Sequence, residues 1–428
     1  MRRLHGAPSL ARATRFVVGI IVATAACARH VPPTPASPTP PPPGNVDARL
    51  VRVSLGVSRV AAISAIAAWQ LIDRDGRVVA RGDSGDRASL ASADASMSID
   101  LSGEKASAAA PPLRLATRVN GGVVSINGKR YRGELSFAPV DSGVQVVNQV
   151  QIEAYLRGVV PRELGVRGAA DHAALEAQAV AARSYVVTRL GNRTRAYDVT
   201  ATTSDQVYGG VDAENTAADA AVLATEGLVL SYGGRVVSAP YHSTCGGSTA
   251  EPAEIWRSRN EPFLQRVSDR IPGSDRYYCD IGPRFRWERS WRGDSLTAIV
   301  GRYLRAYAQV PAGPVGDVRD ISVEGRTASG RVAAIAIETT RGRFRVQAND
   351  IRYVLRSPGG ELLNSTYFSP EVLASPDGRL ARLTIRGLGY GHGVGMCQWG
   401  AIGRARAGQD FRSILSTYFP GTSVARAY

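Results

Sequence analysis

The sequence predicts an α+β fold in which strands and helices share one extended core behind an N-terminal leader and linker. Between positions 48 and 147, short alternating segments such as Val51–Leu55 predict strands, and Asp75-Gly76 and Asn127-Gly128 are typical of hairpin turns. From Asp171 to about Leu190, apolar residues recur at helical spacing. Strands therefore dominate the first part of the chain, and helices join them later.

The N-terminus has the pattern of an export signal. Four arginines precede an apolar run of 11 residues, Phe16–Ala26, which is too short to span a bilayer. Thr24-Ala25-Ala26-Cys27 resembles the lipobox of bacterial lipoproteins and predicts a lipid on Cys27, although a plain secretory signal is the alternative. Residues 28–47 are rich in proline and predict an extended linker. We therefore expect an exported protein of the periplasm or cell envelope, anchored to a membrane through its lipid.

The charge of the chain favours an anionic partner. Its 428 residues include 52 basic and 37 acidic side chains, a net charge of +15. Export argues against nucleic acid as that partner and leaves a membrane surface or a charged cell-wall polymer. Four cysteines are too few for a disulfide scaffold. No later apolar run approaches the length of a transmembrane helix, which excludes a polytopic membrane protein.

The remaining elements follow in chain order. The polar, Ala/Ser-rich segment 89–110 predicts a loop, and Val159-Val160 with Pro161 predicts the end of a strand, which places Glu163 in a loop. Further predicted elements are helices at 215–226, 296–308 and 414–419 and a hairpin at 228–237. The predicted parts are 48–147 (mostly β), 148–293 (catalytic core), 294–380 (an α+β insertion) and 381–428 (Gly-rich, then helical).

Familiar catalytic motifs are missing from the sequence. It has no Gly-x-Ser-x-Gly elbow and no His-Glu-x-x-His pair. Glycine alternates strictly from Gly387 to Gly395, which does not fit a dinucleotide-binding loop. This pattern instead predicts an extended segment that a second backbone or a flat ligand can approach closely. His392 lies within it and is a candidate substrate contact.

Several polar residues could form a site in the core. A carboxylate such as Glu163, between rigid elements, is well placed to meet a ligand, although a solvated loop glutamate is the alternative. Gln178 and Arg183 lie off the apolar stripe of the 171–190 helix, so they line a site facing Glu163 or form a solvated face. Gln206 and Tyr208 carry groups that bind sugar hydroxyls, or they belong to a turn.

Taken together, five segments resemble the sporulation stage II protein D (SpoIID/LytB) family over roughly residues 50–425. Each segment is weak alone, but their order and spacing are specific. The segments are Asn148–Glu163, Ala174–Tyr185, Asp205–Gly210, His242–Gly247 and Gly391–Ala401.

The resemblance implies a lytic transglycosylase that acts on the glycan strands of peptidoglycan. It places the family's catalytic glutamate at Glu163 and an arginine implicated with substrate at Arg183, while Glu176 stands where some relatives have lysine. Some relatives are described as amidase enhancers. A non-catalytic peptidoglycan-binding protein, with a cell-wall amidase as partner, is therefore the main alternative. An ordinary hydrolase would need a second carboxylate, and Asp205 and Glu176 are the candidates.

One carboxylate suffices for a lytic transglycosylase because the 6-hydroxyl of the muramic sugar is the nucleophile. Glu163 must first be protonated, so the sequence predicts that desolvation raises its pKa. The charge of neighbouring Arg162 would oppose this if it faced inward, and we expect Arg162 to point outward.

If Cys27 carries lipid, three cysteines remain, and an odd number cannot all pair. Cys245, Cys279 and Cys397 with His242 make a Cys₃His set of the kind that binds structural zinc. The alternatives are one disulfide with a free thiol, or three inert buried thiols.

Overall fold

The computed structural model describes residues 50–428 except 94, 95, 102, 109, 120, 192 and 193. The predicted signal at 1–27, Cys27 and the linker at 28–47 lie outside the described residues. The described residues fall within one compact unit, and their mixture of strands and helices confirms the α+β prediction. No described helix is both long and apolar enough to cross a membrane.

Two sheets build the first part of the fold. Their strands are β1 (Leu50–Ser58), β2 (Val60–Ala65), β3 (Trp69–Ile72), β4 (Val78–Gly82), β5 (Ala88–Ala93), β6 (Ser96–Leu101), β7 (Glu104–Ala108), β8 (Leu113–Thr117), β9 (Val123–Ile126), β10 (Lys129–Arg132), β11 (Glu134–Val140), β12 (Gly143–Gln151) and β13 (Val199–Thr200). One sheet has the order β13-β1-β12-β11-β8-β3-β4, and the other has the order β10-β9-β2-β5-β6-β7. Only β13 pairs in parallel among the described strands of these sheets, beside β1.

The predicted hairpin turn at Asn127-Gly128 is confirmed. Both residues have positive φ, 48° and 79°, the conformation of a tight two-residue hairpin turn, and they connect β9 to β10. The loop prediction for 89–110 is wrong, because β5, β6 and β7 occupy most of this segment. Leu90, Met97 and Ile99 alternate inward and are buried. Small and polar residues between them hid this alternation in the sequence.

The first helix, α1 (Ile152–Leu164), corrects the predicted strand end before Pro161. Tyr155, Leu156, Val159 and Val160 are buried on one face of α1, and their spacing of four residues is helical. The adjacent valines and the proline suggested a strand instead. Pro161 has no N–H to bond the carbonyl of Arg157, so it costs α1 one backbone hydrogen bond, but its own carbonyl still accepts the N–H of Gly165 at 2.9 Å. Glu163 therefore belongs to a helix and not to a loop.

The middle of the fold follows the predictions closely. Its next elements are α2 (His172–Val187), α3 (Thr216–Ala224) and the hairpin strands β14 (Leu228–Tyr232) and β15 (Arg235–Val236). The predicted apolar stripe of α2, represented by Leu175 and Val186, is buried. Asn215 caps α3 by accepting the N–H of Ala218 at 3.0 Å.

A second apolar core lies C-terminal to these elements, with Leu296, Ile335 and Leu383 among its buried residues. The elements of this stretch are β16 (Tyr241–His242), α4 (Pro252–Trp256), a 3₁₀ helix (Tyr278–Ile281), β17 (Arg286–Arg292), α5 (Gly293–Tyr303), β18 (Val318–Val323), β19 (Ala334–Thr339), β20 (Gly342–Gln347), α6 (Asp350–Val354), β21 (Phe368–Ala374) and β22 (Leu380–Leu388).

The chain ends with β23 (Met396–Cys397), α7 (Gln398–Arg406), α8 (Phe411–Tyr418), which confirms the predicted C-terminal helix, and β24 (Ser423–Arg426). The short β23 pairs in parallel with β16. A second backbone does approach the glycine-rich segment, since a Cβ on Gly395 would lie 2.1 Å from the carbonyl oxygen of Pro240. The segment is not a regular extended strand, because Gly391, Gly393 and Gly395 have positive φ.

Candidate active site

Glu163 lies in the last turn of α1, half-buried, beside the start of α7. Its Oε1 atom accepts the backbone N–H of Val207 at 2.7 Å. The side chain of Gln398, the first residue of α7, lies near the carboxylate and lowers its pKa. The fold therefore holds Glu163 between two partners that lie 44 and 235 positions later in the chain.

The surroundings of Glu163 raise the pKa of its carboxyl group. Burial is the main cause, and it outweighs the hydrogen bond from Val207, the side chain of Gln398 and the charge of Arg162, all of which lower the pKa. Arg162 is exposed, in agreement with the outward orientation predicted for it. The predicted desolvation of Glu163 is thus confirmed, although its source is helix packing and not a loop.

Gln178 joins the same group of side chains through Gln398. Its side chain is buried in α2, and its Oε1 atom accepts Nε2 of Gln398 at 3.3 Å. Within the described chain, Nε2 of Gln178 has no hydrogen-bond partner. Gln178 therefore does not belong to a solvated helix face, and it carries a free donor next to the partner of Glu163.

A cation–π contact links the segment after α1 to the start of α7. The guanidinium of Arg167, four residues after Glu163, lies 4.8 Å from the ring centre of Trp399, the residue after Gln398. Gly282 packs against the same indole so closely that a Cβ would lie 2.8 Å from it. These contacts hold the C-terminal end of α1, which contains Glu163, close to the N-terminal end of α7, which contains Gln398.

The prediction that Arg183 faces Glu163 is wrong. Arg183 is fully buried and donates to both carboxylate oxygens of Glu153, at 2.8 and 2.7 Å, and to the carbonyl of Leu228 at 3.0 Å. Glu153 lies ten residues before Glu163 on α1, a separation of about 15 Å along the helix axis. Arg183 therefore holds the opposite end of α1 in place, and its guanidinium is buried away from any ligand in solvent.

Gln206 and Tyr208 are likewise buried, which corrects their prediction as sugar-binding groups. Gln206 accepts the hydroxyl of Tyr155 at 3.0 Å and donates to the hydroxyl of Tyr241 at 2.9 Å. Tyr208 donates to Oδ1 of Asn148 at 2.9 Å. Val207, which lies between them, donates its N–H to Glu163, so this loop helps to position the carboxylate without contacting substrate through Gln206 or Tyr208.

His392 lies in a separate group of rings. Its ring centre is 5.0 Å from Trp256 and 5.4 Å from His242. Burial, together with the charges of Arg352 and Arg331, lowers its pKa to about 3, so the ring is neutral near pH 7. Its predicted contact with substrate stays a prediction.

The three cysteines meet at one buried point, as predicted, but the fourth member is not His242. Cys245, Cys279 and Cys397 lie with Asp269 in a set whose ligand atoms are all within 4.8 Å of one another. His242 belongs to the ring group, and its Nδ1 atom lies 3.1 Å from the carbonyl oxygen of Val394. The sequence-based Cys₃His set is therefore wrong in its histidine.

The cysteine cluster and Asp269 influence one another's ionisation. Hydrogen bonds from Cys245 and Cys397 lower the pKa of Cys279 to about 3, whereas burial raises the pKa of the other two thiols. Burial also raises the pKa of Asp269 to about 6. One of the three sulfurs is thus favoured as a thiolate.

Comparison with known proteins identifies the family. The model of the SpoIID family, Stage II sporulation protein, matches residues 140–232, and a domain of unknown function, DUF8618, matches residues 277–395. An uncharacterized protein of Brachyspira hyodysenteriae is 31% identical over 303 residues, covering 70% of this chain and 73% of that protein. Stage II sporulation protein D of Bacillus subtilis is 26% identical over 301 residues, covering 66% and 77%. The chain belongs to the SpoIID family.

Another SpoIID relative is longer than this chain. The amidase enhancer of Bacillus subtilis is 30% identical over 325 residues, which cover 70% of this chain but 45% of the relative. The chain thus spans less than half the length of that protein. The match to the SpoIID model contains Glu163, Gln178 and Val207, whereas Gln398 and the cysteine cluster lie beyond it.

Sequence reasoning missed two residues of this SpoIID chain. Gln398 lies inside the segment Gly391–Ala401, which carried part of the family resemblance, and that position was a usable signal. Asp269 stands in a stretch without any recognisable motif. Its place beside the thiols depends on contacts with residues 10 to 128 positions away in the chain.

Proposed function

We propose that this chain is an exported, lipid-anchored peptidoglycan lytic transglycosylase. It would cleave glycan strands between N-acetylmuramic acid and N-acetylglucosamine and leave 1,6-anhydro ends. The observation that carries the proposal is Glu163, a half-buried carboxyl group whose pKa is raised by burial despite the opposing charge of Arg162. A single protonatable carboxyl group is what this reaction requires.

The reaction would use Glu163 twice. The protonated carboxyl gives its hydrogen to the bridging oxygen as the bond from that oxygen to the anomeric carbon breaks. The 6-hydroxyl oxygen of the same muramic residue then bonds to the anomeric carbon, and the carboxylate takes the hydroxyl proton. No water is consumed, and Glu163 ends protonated as it began.

The neighbouring groups suit both steps. Burial favours the neutral acid before cleavage, whereas the N–H of Val207 and the side chain of Gln398 stabilise the carboxylate once the proton has left. Asp205 is a poor second carboxylate for a hydrolase. Its oxygens already accept the hydroxyls of Tyr185 at 3.0 Å and Thr200 at 2.9 Å.

The family membership supports a role at the cell wall. The relatives named as a Stage II sporulation protein D and as an amidase enhancer both match this chain over most of its length. The second name also supports a different candidate, a non-catalytic peptidoglycan-binding protein that acts through an amidase. That candidate needs no protonated Glu163, so the two functions differ in their products.

Mass spectrometry of digested glycan tests the proposal. The purified protein is incubated with glycan strands that keep their stem peptides and with strands that lack them. We expect fragments with 1,6-anhydro ends from at least one substrate. Intact strands in both reactions, together with stimulation of an added cell-wall amidase, would favour the enhancer function instead.

The pH dependence of activity should reveal the influence of Gln398 on Glu163. Only protonated Glu163 can donate, so kcat/KM falls as pH rises through its pKa. Because Gln398 lowers that pKa, the Gln398→Leu variant should lose activity at a higher pH than the wild type. The profile is measured on peptide-free glycan.

Gln409→Leu is the matched control for Gln398→Leu, since Gln409 lies just beyond the same helix. The pH at which its kcat/KM falls should be the same as in the wild type. If kcat/KM of Gln398→Leu falls at the same pH as in the wild type, or at a lower pH, the proposed role of Glu163 as the acid is contradicted.

The predicted lipid on Cys27 can be tested separately from catalysis. Cys27→Ser removes the sulfur that would carry the lipid. In cells, we expect the wild-type chain in the membrane fraction and the variant in the soluble fraction. Ser37→Ala, a change in the proline-rich linker that keeps Cys27, should fractionate like the wild type. Equal distribution of Cys27→Ser and wild type would reject the anchor.

A further inference from the structure

Three thiols and one carboxylate converge from distant parts of the chain on a buried point. Cys245 follows β16, Asp269 lies in the loop before the 3₁₀ helix that contains Cys279, and Cys397 ends β23. The four side chains are fully buried, with no accessible surface. Their candidate ligand atoms lie within 4.8 Å of one another. Buried thiols are common, but three of them around a buried carboxylate form an unusual group that can hold a metal ion.

The spacing of these atoms fits a single small cation. Four ligands around Zn²⁺ form a tetrahedron, and sulfurs at about 2.3 Å from the ion lie about 3.8 Å apart. The Sγ atoms of Cys245 and Cys279 are 3.5 Å apart, close to that value and far longer than a disulfide bond of about 2.05 Å. Asp269 Oδ2 lies 3.2 Å from Sγ of Cys245, so a carboxylate oxygen is close enough to serve as a fourth ligand.

We propose that Cys245, Cys279, Cys397 and Asp269 bind one Zn²⁺ ion in a closed structural site. The three sulfurs coordinate as thiolates, and Asp269 supplies Oδ2. His242, the residue that the sequence favoured, takes no part. Thiolate ligands exclude magnesium and calcium, which prefer oxygen. Tetrahedral sites rich in thiolate are typical of structural zinc, which also accepts a carboxylate oxygen as a ligand.

The groups around the cluster already hold its ligands in orientation. The Oδ1 atom of Asp269 accepts the hydroxyl of Tyr418 at 2.6 Å and Nη2 of Arg404 at 3.0 Å, which leaves Oδ2 for the metal. Sγ of Cys397 accepts the backbone N–H groups of Cys245 at 3.2 Å and Gly400 at 3.3 Å. Such outer contacts fix ligand geometry in metal sites.

The local charge is also compatible with bound zinc. Three thiolates and one carboxylate exceed the charge of Zn²⁺ by two negative units. Arg404 offsets one unit through its pair with Asp269. The N-terminus of α7, where Cys397 is the capping residue, offsets part of the remainder through its helix dipole. Gly400 lies in the same first turn, and a Cβ at this position would lie 2.2 Å from Oδ2 of Asp269. The glycine therefore allows the start of α7 to approach the carboxylate.

The metal would position the candidate active site as well as the fold. Cys397 immediately precedes Gln398, whose side chain contacts Glu163 and Gln178. Coordination of Cys397 would therefore hold the start of α7 in place and keep the side chain of Gln398 close to Glu163. This second consequence rests on the proposed function, whereas the metal site itself does not.

Metal analysis of the purified full-length chain tests the site without any assay of activity. We expect about one zinc per chain, and about tenfold less in Cys279→Ser and Asp269→Asn. His242→Gln is the matched control and should keep its zinc. Replacement by Co²⁺ should give the absorption bands of thiolate coordination in the wild type and weaker bands in Cys279→Ser.

If the variants fail to fold, the site can still be tested by counting free thiols in the unfolded wild-type protein. Alkylation followed by mass spectrometry should find Cys245, Cys279 and Cys397 all reduced once zinc is removed. A disulfide between any two of them, or three thiols in a chain that holds no zinc, would overturn the proposal. Zinc retained in a chain without glycan-cleaving activity would reject the proposed function and leave the metal site standing.

Discussion

Replacement of Glu163 by glutamine is expected to abolish the formation of 1,6-anhydro ends. Glutamine has the shape of glutamate but cannot give a proton to the bridging oxygen or take one from the 6-hydroxyl. General acid–base groups contribute about 10²- to 10⁴-fold to rate, and Glu163 would serve in both steps, so we expect a loss of about 10³-fold or more. Mass spectrometry of the glycan digest measures this loss.

The design of this variant separates chemistry from folding. The amide oxygen of glutamine can still accept the N–H of Val207, the bond that Glu163 makes at 2.7 Å. Its melting temperature should therefore stay near that of the wild type. Glu226→Gln, at an exposed glutamate, is the matched control and should retain full activity. Anhydro products at the wild-type rate from Glu163→Gln would show that another group is the acid.

Replacement of Arg183 by methionine should cause the largest loss of stability. Arg183 is fully buried, makes two bonds to Glu153 and donates to the carbonyl of Leu228. Removal of the cation leaves the half-buried carboxylate of Glu153 without its ion-pair partner. Breaking such a pair costs about 3–5 kcal/mol in the free energy of unfolding. Urea denaturation followed by tryptophan fluorescence gives this value.

The same variant tests the structural role of Arg183 against the substrate role that the resemblance implied. Below its unfolding transition, the folded fraction of Arg183→Met should bind glycan with the wild-type KM. Arg343→Met, which removes an exposed arginine from a surface ion pair, should leave the denaturation midpoint unchanged. Unchanged stability with a raised KM in Arg183→Met would indicate contact with substrate and contradict its buried placement.

The elements that could be predicted are those whose own residues carry the pattern. α2 has its apolar stripe within 16 residues, and α3 has its cap at Asn215. The Asn127-Gly128 turn depends only on those two residues. α1 was misjudged because Val159, Val160 and Pro161 favour a strand end locally, whereas packing against α2 and the sheet decides for a helix. Local preference is weak, so burial of the whole apolar face overrides it.

The residues of the candidate site differ in the same way: some could be predicted from short segments, and others could not. By itself the sequence determined the family, singled out Glu163 as the candidate acid and predicted the meeting of three cysteines, because each rests on residue types within short segments. Only the tertiary structure decided that Gln398 reaches Glu163, that Arg183 pairs with Glu153, and that Asp269 replaces His242 beside the thiols. These contacts join positions 235, 30 and up to 128 residues apart. No local pattern encodes such pairs, because they form only when the burial of separate apolar faces brings distant polar groups together.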